Sequence, residues 1–483
     1  LRETVINYLK QNKVNVIEMS DEELARMNEW EQWYRGNVDG FHEFDQWNGK
    51  KHTSKKRKSL FMAAKVCQDW ADLLLNERVD ITVAAKGKKS SQKAQETLDG
   101  ILDYNNFYVK ANNLVETAYA IGGGFFVEYY NANEKKTKIN YITQDNAYPI
   151  TIDNGVIKEI AFSSKVTVGN TEYIYINIHT LDKNFNYVID NVFISKNSEK
   201  QYEEESKEFY VQNGIKPKWE THSPVPLFQQ IKPNIVNRLN YDGAYGVSVF
   251  NTALDAFKKC DSDFTAYYCE VALGKKRIFV RDTVTTVNFD EDNEPVRAFQ
   301  DDDIYYSIPD YEDGQPIIES NMALRVAELD TALQNSLNLI SQECGFGSEG
   351  YKWEGGNATT ATQIISENSK MFRTLQKHEL VMRKAIVDMV KGLLFVDGTL
   401  GGSGVESDVT VTVDFDDSII EDTAELKRQA LQDLTVGNIS KQQYFRDVYK
   451  LDDKQAKEFV TQMLTEMNEE MQMLQTESEP MPE

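Results

Sequence analysis

The chain has 483 residues, 41% hydrophobic and 11% aromatic, enough apolar mass for two or more cores or one elongated multi-part subunit. Its formal net charge of −24 argues against a protein that grips nucleic acid by neutralising phosphates, though not against one past which a duplex must slide. No run of about 18 uncharged apolar residues occurs, so the sequence offers no membrane-spanning helix.

The N-terminal LRETVINYLKQNKV is charged throughout and lacks the apolar centre of a secretory signal; the missing initiator Met suggests a trimmed or processed chain. The first predicted helix opens at the capping box Ser20-Asp21-Glu22-Glu23, with Leu24, Met27 and Trp30 or Tyr34 at helical spacing behind it. Residues 50–58 hold six Lys or Arg and no acid, which reads as a solvated helix start or as a contact for nucleic acid or an acidic neighbouring chain. Residues 60–77 form a strong amphipathic pattern, and 94–115 a further one broken near Asp103–Phe107. From about Phe125 to Ile194 the pattern changes to short β-rich runs. Turns at Asp153-Asn154-Gly155 and Gly169-Asn170 separate them, predicting an antiparallel meander of about five strands. The following QYEEESKEFY reads as a solvated connector.

A long helix is predicted from near Ser248, with Phe250, Leu254, Phe257, Phe264, Tyr268 and Val271 on one stripe and Gly274 as its terminator. The β-prone RIFV comes next. Residues 282–313 then hold eleven acids against one Arg. Helix resumes near Met322, striped by Val326, Leu329, Leu333, Leu337 and Ile340, and stops at Gly345. A Gly-rich segment, 345–356, leads into an uninterrupted helical pattern over 361–396, roughly 50 Å at the helical rise. Its Ile386 and Leu393 are expected on apolar stripes packed between neighbouring subunits. GTLGGSG (398–404) reads as a flexible linker and VTVTVDF (409–415) as a strand. Three polar helices follow, near 420–436, 441–449 and 453–474, the first stopped by Gly437 and the second boxed by Ser440 and Gln443. An acidic tail closes the chain.

No motif carries catalysis. Gly87-Lys88-Lys89-Ser90 lacks the first glycine of a nucleotide-binding P-loop. Gly345-Phe346-Gly347-Ser348-Glu349-Gly350 matches a dinucleotide fingerprint in letters, but it follows a helix, so it reads as a loop. Asp290-Glu291-Asp292 and Asp301-Asp302-Asp303 lack calcium-loop spacing and read as an acidic surface, while Asp414, Asp416 and Asp417 have no His or Lys placed for nuclease chemistry. Cys67, Cys260, Cys269 and Cys344 form no CxxC pair and read as small buried hydrophobes in a reducing compartment. No metal, no cofactor and no enzymatic activity are expected.

The order of these pieces resembles one family. WEQWYRG (30–36) followed by KRKSLFMAAKVCQDWADLLLNE (56–77) is similar to the opening of the portal proteins of tailed bacteriophages, of the Gram-positive-infecting siphophage type. PLFQQIKPNIVNRLNYDGAYGVSVF (226–250) resembles the approach to that family's first stem helix, TTATQIISENSKMFRTLQKHE (359–379) its long helix after the tunnel loop, and DFDDSIIEDTAE (414–425) the entry to its crown. The resemblance covers nearly the whole chain.

It implies an α+β, mostly helical and elongated ring subunit with an antiparallel β-rich wing, two stem helices, a small α/β clip and a helical C-terminal crown. The wing would be 1–242, the first stem helix 243–273, the clip 274–320 and the second stem helix 321–345. The tunnel loop would be 346–359, the long wing helix with its returning strand 360–416, and the crown with its acidic tail 417–483. It further implies about twelve copies around double-stranded DNA at a capsid vertex of the virion, assembled in the host cytoplasm. Partners would be the terminase large subunit, a head-completion adaptor, and the major capsid and scaffolding proteins, with no membrane. Ser348, Glu349, Gly350, Tyr351, Lys352, Trp353, Glu354, Gly355, Gly356 and Asn357 would face DNA. Asp290, Glu291, Asp292, Asp301, Asp302, Asp303, Tyr305 and Tyr306 would dock partners. The N-terminal segment receives no role. A phage-head scaffolding protein and a phage-head nuclease are the rival readings.

Overall fold

The computed structural model describes every residue except 48, 77–78, 197–201, 214, 275, 282–287, 290–294, 297–304, 309–316, 321–322, 349, 352–360, 406–407, 416–422, 450–455, 458, 462 and 464–483. Contacts divide the chain into residues 1–415 and 416–483.

The first unit opens on a helix the charged N-terminal sequence conceals, α1 (Arg2–Gln11). Its Val5, Ile6 and Leu9 occupy one face and are buried against a sheet, which gives the N-terminal segment a structural role. Helix α2 (Asp21–Tyr34) starts at the foreseen capping box: Glu23 N donates to Ser20 Oγ (3.2 Å) and Ser20 N to Glu23 Oε2 (2.9 Å). The basic run is no helix start. It lies on the antiparallel hairpin β1 (Glu43–Trp47) and β2 (His52–Lys56). Then come α3 (Met62–Leu74), β3 (Asp80–Ala84), α4 (Lys88–Tyr104) and α5 (Phe107–Ile121). The foreseen break between the last two falls at Asn106, whose φ is 47°. Beside it, buried Asn105 ties the joint down, donating to Ile101 O (2.8 Å) and Thr137 O (3.0 Å) and accepting from Ile139 N (3.0 Å).

The β-rich region is two sheets rather than one meander. β4 (Gly124–Asn131) pairs with β5 (Lys136–Thr143) on one side and with a distant strand, β12 (Phe228–Ile231), on the other. β6 (Ala147–Asp153), β7 (Val156–Val168), β8 (Thr171–Leu181) and β9 (Tyr187–Lys196) form the second sheet, extended on β9 by β10 (Tyr202–Glu204) and β11 (Lys218–Glu220). Sequence pattern alone passes over β6 because Pro149 sits inside it. The strand is at the sheet edge, where proline is tolerated, and its register slips beside that residue. The expected solvated connector supplies β10 and a short helix, α6 (Lys207–Gln212), whose Tyr210 is buried, its hydroxyl accepting from Phe193 N (2.9 Å).

Helix α7 (Leu254–Leu273) starts six residues later than its periodicity predicts. Residues 246–249 are committed to a close backbone crossing instead. A Cβ on Gly246 would lie 2.0 Å from Gly122 O, and Val249 N donates to Tyr119 O (2.9 Å), so this stretch cannot wind. Gly274 does end the helix, but at φ −76° and so without the left-handed turn expected of it. Strands β13 (Arg277–Arg281), β16 (Tyr305–Ile308) and β17 (Ile317–Ser320) form a small sheet with β13 central, and β14 (Asn288–Phe289) pairs with β15 (Pro295–Val296). Helix α8 (Val326–Glu343) and the 36-residue α9 (Ala361–Val396) follow. The expected linker is partly wound, as a π-helical turn over Asp397–Gly401. The chain returns in β18 (Thr410–Asp414), antiparallel to β3.

The apolar stripe of α9 closes the core of its own unit. Leu375, Met382, Ile386, Met389, Val390, Leu393 and Leu394 are all buried within the chain, so Ile386 and Leu393 do not await a neighbouring subunit. In the second unit, α10 (Thr423–Val436) ends at Gly437 with φ +85°, and α11 (Lys441–Tyr449) is capped by Ser440, whose Oγ accepts from Gln443 N (3.1 Å). Phe445 packs against Phe459 with the rings tilted, centroids 5.0 Å apart.

Candidate functional site

Helices α7 and α8 are an antiparallel pair. At one end Arg325 grips Glu270 with Nη2 to Oε2 at 2.8 Å, a contact that holds the Glu270 carboxyl below its usual range. Further along, Lys259 and Asp263 of α7 converge on the buried Ser336 of α8, at 2.5 and 2.6 Å. A buried hydroxyl can take part in such a link because it both donates and accepts. The opposite face of α7 carries a second buried link. Val38 N donates to His42 Nδ1 (2.7 Å), which leaves the Nε2 proton to donate to Asp261 Oδ2 (3.0 Å), and Leu60 N donates to Asp261 Oδ1 (2.8 Å). The pair is therefore bolted on both flanks, and between its far ends it carries the small β13–β16–β17 sheet.

The segment after α8 is anchored at its root. Gly345 and Gly347 turn the chain at φ +90° and +88°, and a Cβ on Gly345 would stand 2.8 Å from Thr374 Cγ2. Trp70 Nε1 donates to Cys344 O (3.1 Å) and its ring lies 4.6 Å from that of Phe346. Gly350 N donates to Ser341 Oγ (2.9 Å). Tyr351 folds back onto the same subunit: its ring is 5.5 Å from Phe346, its hydroxyl donates to Asp69 Oδ2 (3.0 Å), and Gln334 Nε2 donates to its carbonyl (2.8 Å). Burial, with Asp69 close by, pushes the Tyr351 phenol well up. Ser348 is half-buried beside this turn. Glu349, Lys352, Trp353, Glu354, Gly355, Gly356 and Asn357 lie outside the described residues.

Of the expected docking residues, Tyr305 starts β16 opposite Ile278, and Tyr306 is exposed with its ring 5.7 Å from Phe279. Asp290, Glu291, Asp292, Asp301, Asp302 and Asp303 lie outside the described residues. The described residues of 277–320 are all in β-strands, so no helix of the expected α/β clip is seen among them. Among the described residues no cluster of His, Cys, Asp or Glu could hold a metal ion, and Cys67, Cys260 and Cys344 are buried free thiols pushed up by burial.

Three positions that matter were not singled out from sequence. Trp70 is a hub for α3, the turn after α8 and α9, where His378 meets its ring edge-on at 5.0 Å. His378 Nδ1 accepts from Asn234 N (3.0 Å), and burial pushes its pKa down to about 3. Glu128 of β4 is buried against Gly392 of α9, with neither carboxyl oxygen hydrogen-bonded among the described residues; burial raises its pKa well above the ordinary value. A lone acid among aromatics in FFVEYY was the only available hint. A cavity of about 790 Å³ also opens between the two sheets. Its wall carries a polar ladder in which Tyr175 and Asn177 donate to Asn191 Oδ1 at 2.5 and 2.9 Å.

A family model described as phage portal protein, SPP1 Gp6-like, matches residues 15–479. The chain belongs to this family. Portal proteins are structural proteins, and the mixed helix and antiparallel sheet described above is the architecture the resemblance implies. No curated protein matches the chain. Among solved structures it is similar to a chain from the virion of a native gene transfer agent particle, at 10% identity and TM-score 0.45, covering 90% of this chain and 95% of that one. It is also similar to chains from two neck structures. One is the neck of an empty gene transfer agent particle computed with C6 symmetry, at 9% identity and TM-score 0.45, covering 90% and 95%. The other is the neck of the native particle computed with C12 symmetry, at 10% identity and TM-score 0.39, covering 80% and 89%.

Proposed function

We propose that this portal-family chain is the repeating subunit of a ring of about twelve copies at one capsid vertex, through which double-stranded DNA is packaged and later ejected. The observation that carries this reading is the family match over residues 15–479. The antiparallel α7–α8 pair supports it: a rigid stalk, fixed on both faces, sets a small sheet at one end and a long core helix at the other. The ring performs no bond chemistry. Its α7–α8 pairs are the wall, the segment 346–359 is a collar beside the duplex, and residues 274–320 are the docking platform for the terminase large subunit and then the head-completion adaptor. Tyr351 serves as the anchor at the root of that collar, and Lys352, next to it in sequence, is the residue proposed to touch passing phosphates. Residues 417–483 form the crown, and the major capsid and scaffolding proteins surround the ring as it assembles in the host cytoplasm.

Native mass spectrometry of the purified chain tests the reading. The expected result is a closed oligomer of about twelve subunits. A monomer at micromolar concentration, or one with nuclease or ATPase activity, would overturn it.

A further inference from the structure

A ring is built from one head-to-tail contact, so its subunit must carry two different, complementary surfaces on opposite flanks. The stem region supplies such a pair. On α7, the residues that hold the β1–β2 side are Asp261, Thr265 and Tyr268: Asp261 accepts from Leu60 N, Thr265 Oγ1 from Lys58 N (3.0 Å), and the Tyr268 ring carries Lys58 Nζ at 4.9 Å. The residues that hold α8 are Lys259, Asp263 and Glu270. At about 100° per residue the two sets point about 180° apart. The segment 58–60 at the foot of the hairpin and α8 therefore lie on opposite flanks of α7.

Each flank ends in a surface its own subunit leaves uncovered. None of the ten strand residues of the hairpin is buried, and Trp47 is 57% exposed. An isolated two-stranded hairpin is marginal in water, so one held only at its base calls for a cover. Its base is fixed by Arg57, which lies over the rings of Phe41 (4.5 Å) and Phe44 (4.3 Å). Beyond that base it presents Lys50, Lys51, Lys55 and Lys56 against Glu43 and Asp45. On the other flank, α8 has no Lys or Arg. Its outer stripe Glu328, Thr331, Asn335, Leu339 and Gln342 is exposed, Glu343 flanks it, and Leu339 alone on it is a large exposed hydrophobe, at 39%. The stripe is about 21 Å long by helical rise and the hairpin about 17 Å by strand rise.

We propose that the β1–β2 hairpin of each subunit lies along the outer stripe of α8 of the next copy of this chain, lysines toward Glu328 and Glu343 and Trp47 toward Leu339. The inference rests on the ring reading above. It assigns the basic run to a protein contact rather than to DNA.

The test is a charge swap. Lys50→Glu, Lys51→Glu, Lys55→Glu and Lys56→Glu together are expected to cut the ring fraction about tenfold at low salt, since reversed charges repel across an interface. The monomer should melt within a few degrees of wild type, because the substituted residues are exposed and the intrachain pair Lys56–Glu43 (3.1 Å), which they break, is solvated. Adding Glu328→Lys and Glu343→Lys is expected to restore rings. Zero-length carbodiimide coupling of mixed ¹⁴N and ¹⁵N wild-type subunits should join Lys55 or Lys56 to Glu328 or Glu343 between copies. Rings that form normally in the lysine variant, or that the α8 swap does not restore, overturn the docking. Normal rings with weakened DNA retention would assign the hairpin to DNA instead. Absence of rings in the wild type would sink the ring reading itself and is seen separately.

Discussion

Glu128 is held in the folded chain at a cost that depends on pH. Its pKa is raised by burial first and by Asp388 second, so the folded state keeps a proton that the unfolded state releases. The sign follows: stability is fully present below the ordinary carboxyl range and falls as pH rises above it, by at most about 1.4 kcal/mol per pH unit until the folded group ionises. His378 and His179 run the other way. Burial lowers both to about 3, so they add stability as pH rises from about 3 to 6.5 and contribute no slope above that. Glu128→Gln replaces the acid by a neutral group of the same shape whose NH₂ lacks a partner, a loss of about 1–3 kcal/mol. The variant is therefore expected to melt at or below wild type at pH 5 and above it at pH 8. Calorimetric melts at the two pH values check this. A difference between variant and wild type that does not grow with pH would show that Glu128 is ionised or solvated.

At the scale of elements, α9 is the member on which the first unit closes. Because Ile386 and Leu393 are both fully buried inside one chain, an aspartate at either site places an unpaired charge in the core, a loss of several kcal/mol. Ile386→Asp is expected to abolish soluble folded subunit altogether, rather than to yield folded monomers that fail to assemble; circular dichroism and gel filtration distinguish the two, and a folded monomer would return α9 to the interface. The helices were largely legible in the sequence, since α2, α3, α8 and α9 each carry their periodicity and their ends locally. What was not legible depended on distant partners. α1 shows only three apolar residues on a charged helix, and its purpose appears when the β6–β9 sheet is in place. The start of α7 is displaced by a Gly122–Gly246 crossing between segments more than a hundred residues apart. β4 and β5 leave the expected meander because β12 lies a hundred residues downstream. The glycines and aromatics after α8 marked a turn in the sequence, but not that Tyr351 folds back there, because Asp69 and Gln334, which hold it, come from two other helices.

For the whole molecule, the decisive quantity is where the few concentrated positive charges lie. The chain carries −24 overall, and residues 282–313 alone hold eleven acids against one Arg. The densest basic run, 50–58, is on the hairpin, and a hairpin docked on a neighbouring copy has no lysines to offer phosphates. On the ring reading proposed above, such subunits would meet DNA chiefly with acids. Few phosphates are then neutralised and few counterions released, so affinity should be low and its salt dependence shallow. A protein making six to ten phosphate contacts would lose about 10³–10⁵ in affinity between 50 and 200 mM salt. For the assembled ring we expect duplex binding weaker than about micromolar at physiological salt and a loss of less than about tenfold over that range. Fluorescence anisotropy of a labelled linear duplex, titrated with rings at each salt concentration, gives both numbers. Nanomolar affinity with a steep salt slope would mean that cations line the passage, and a duplex held that tightly would stall where it has to slide.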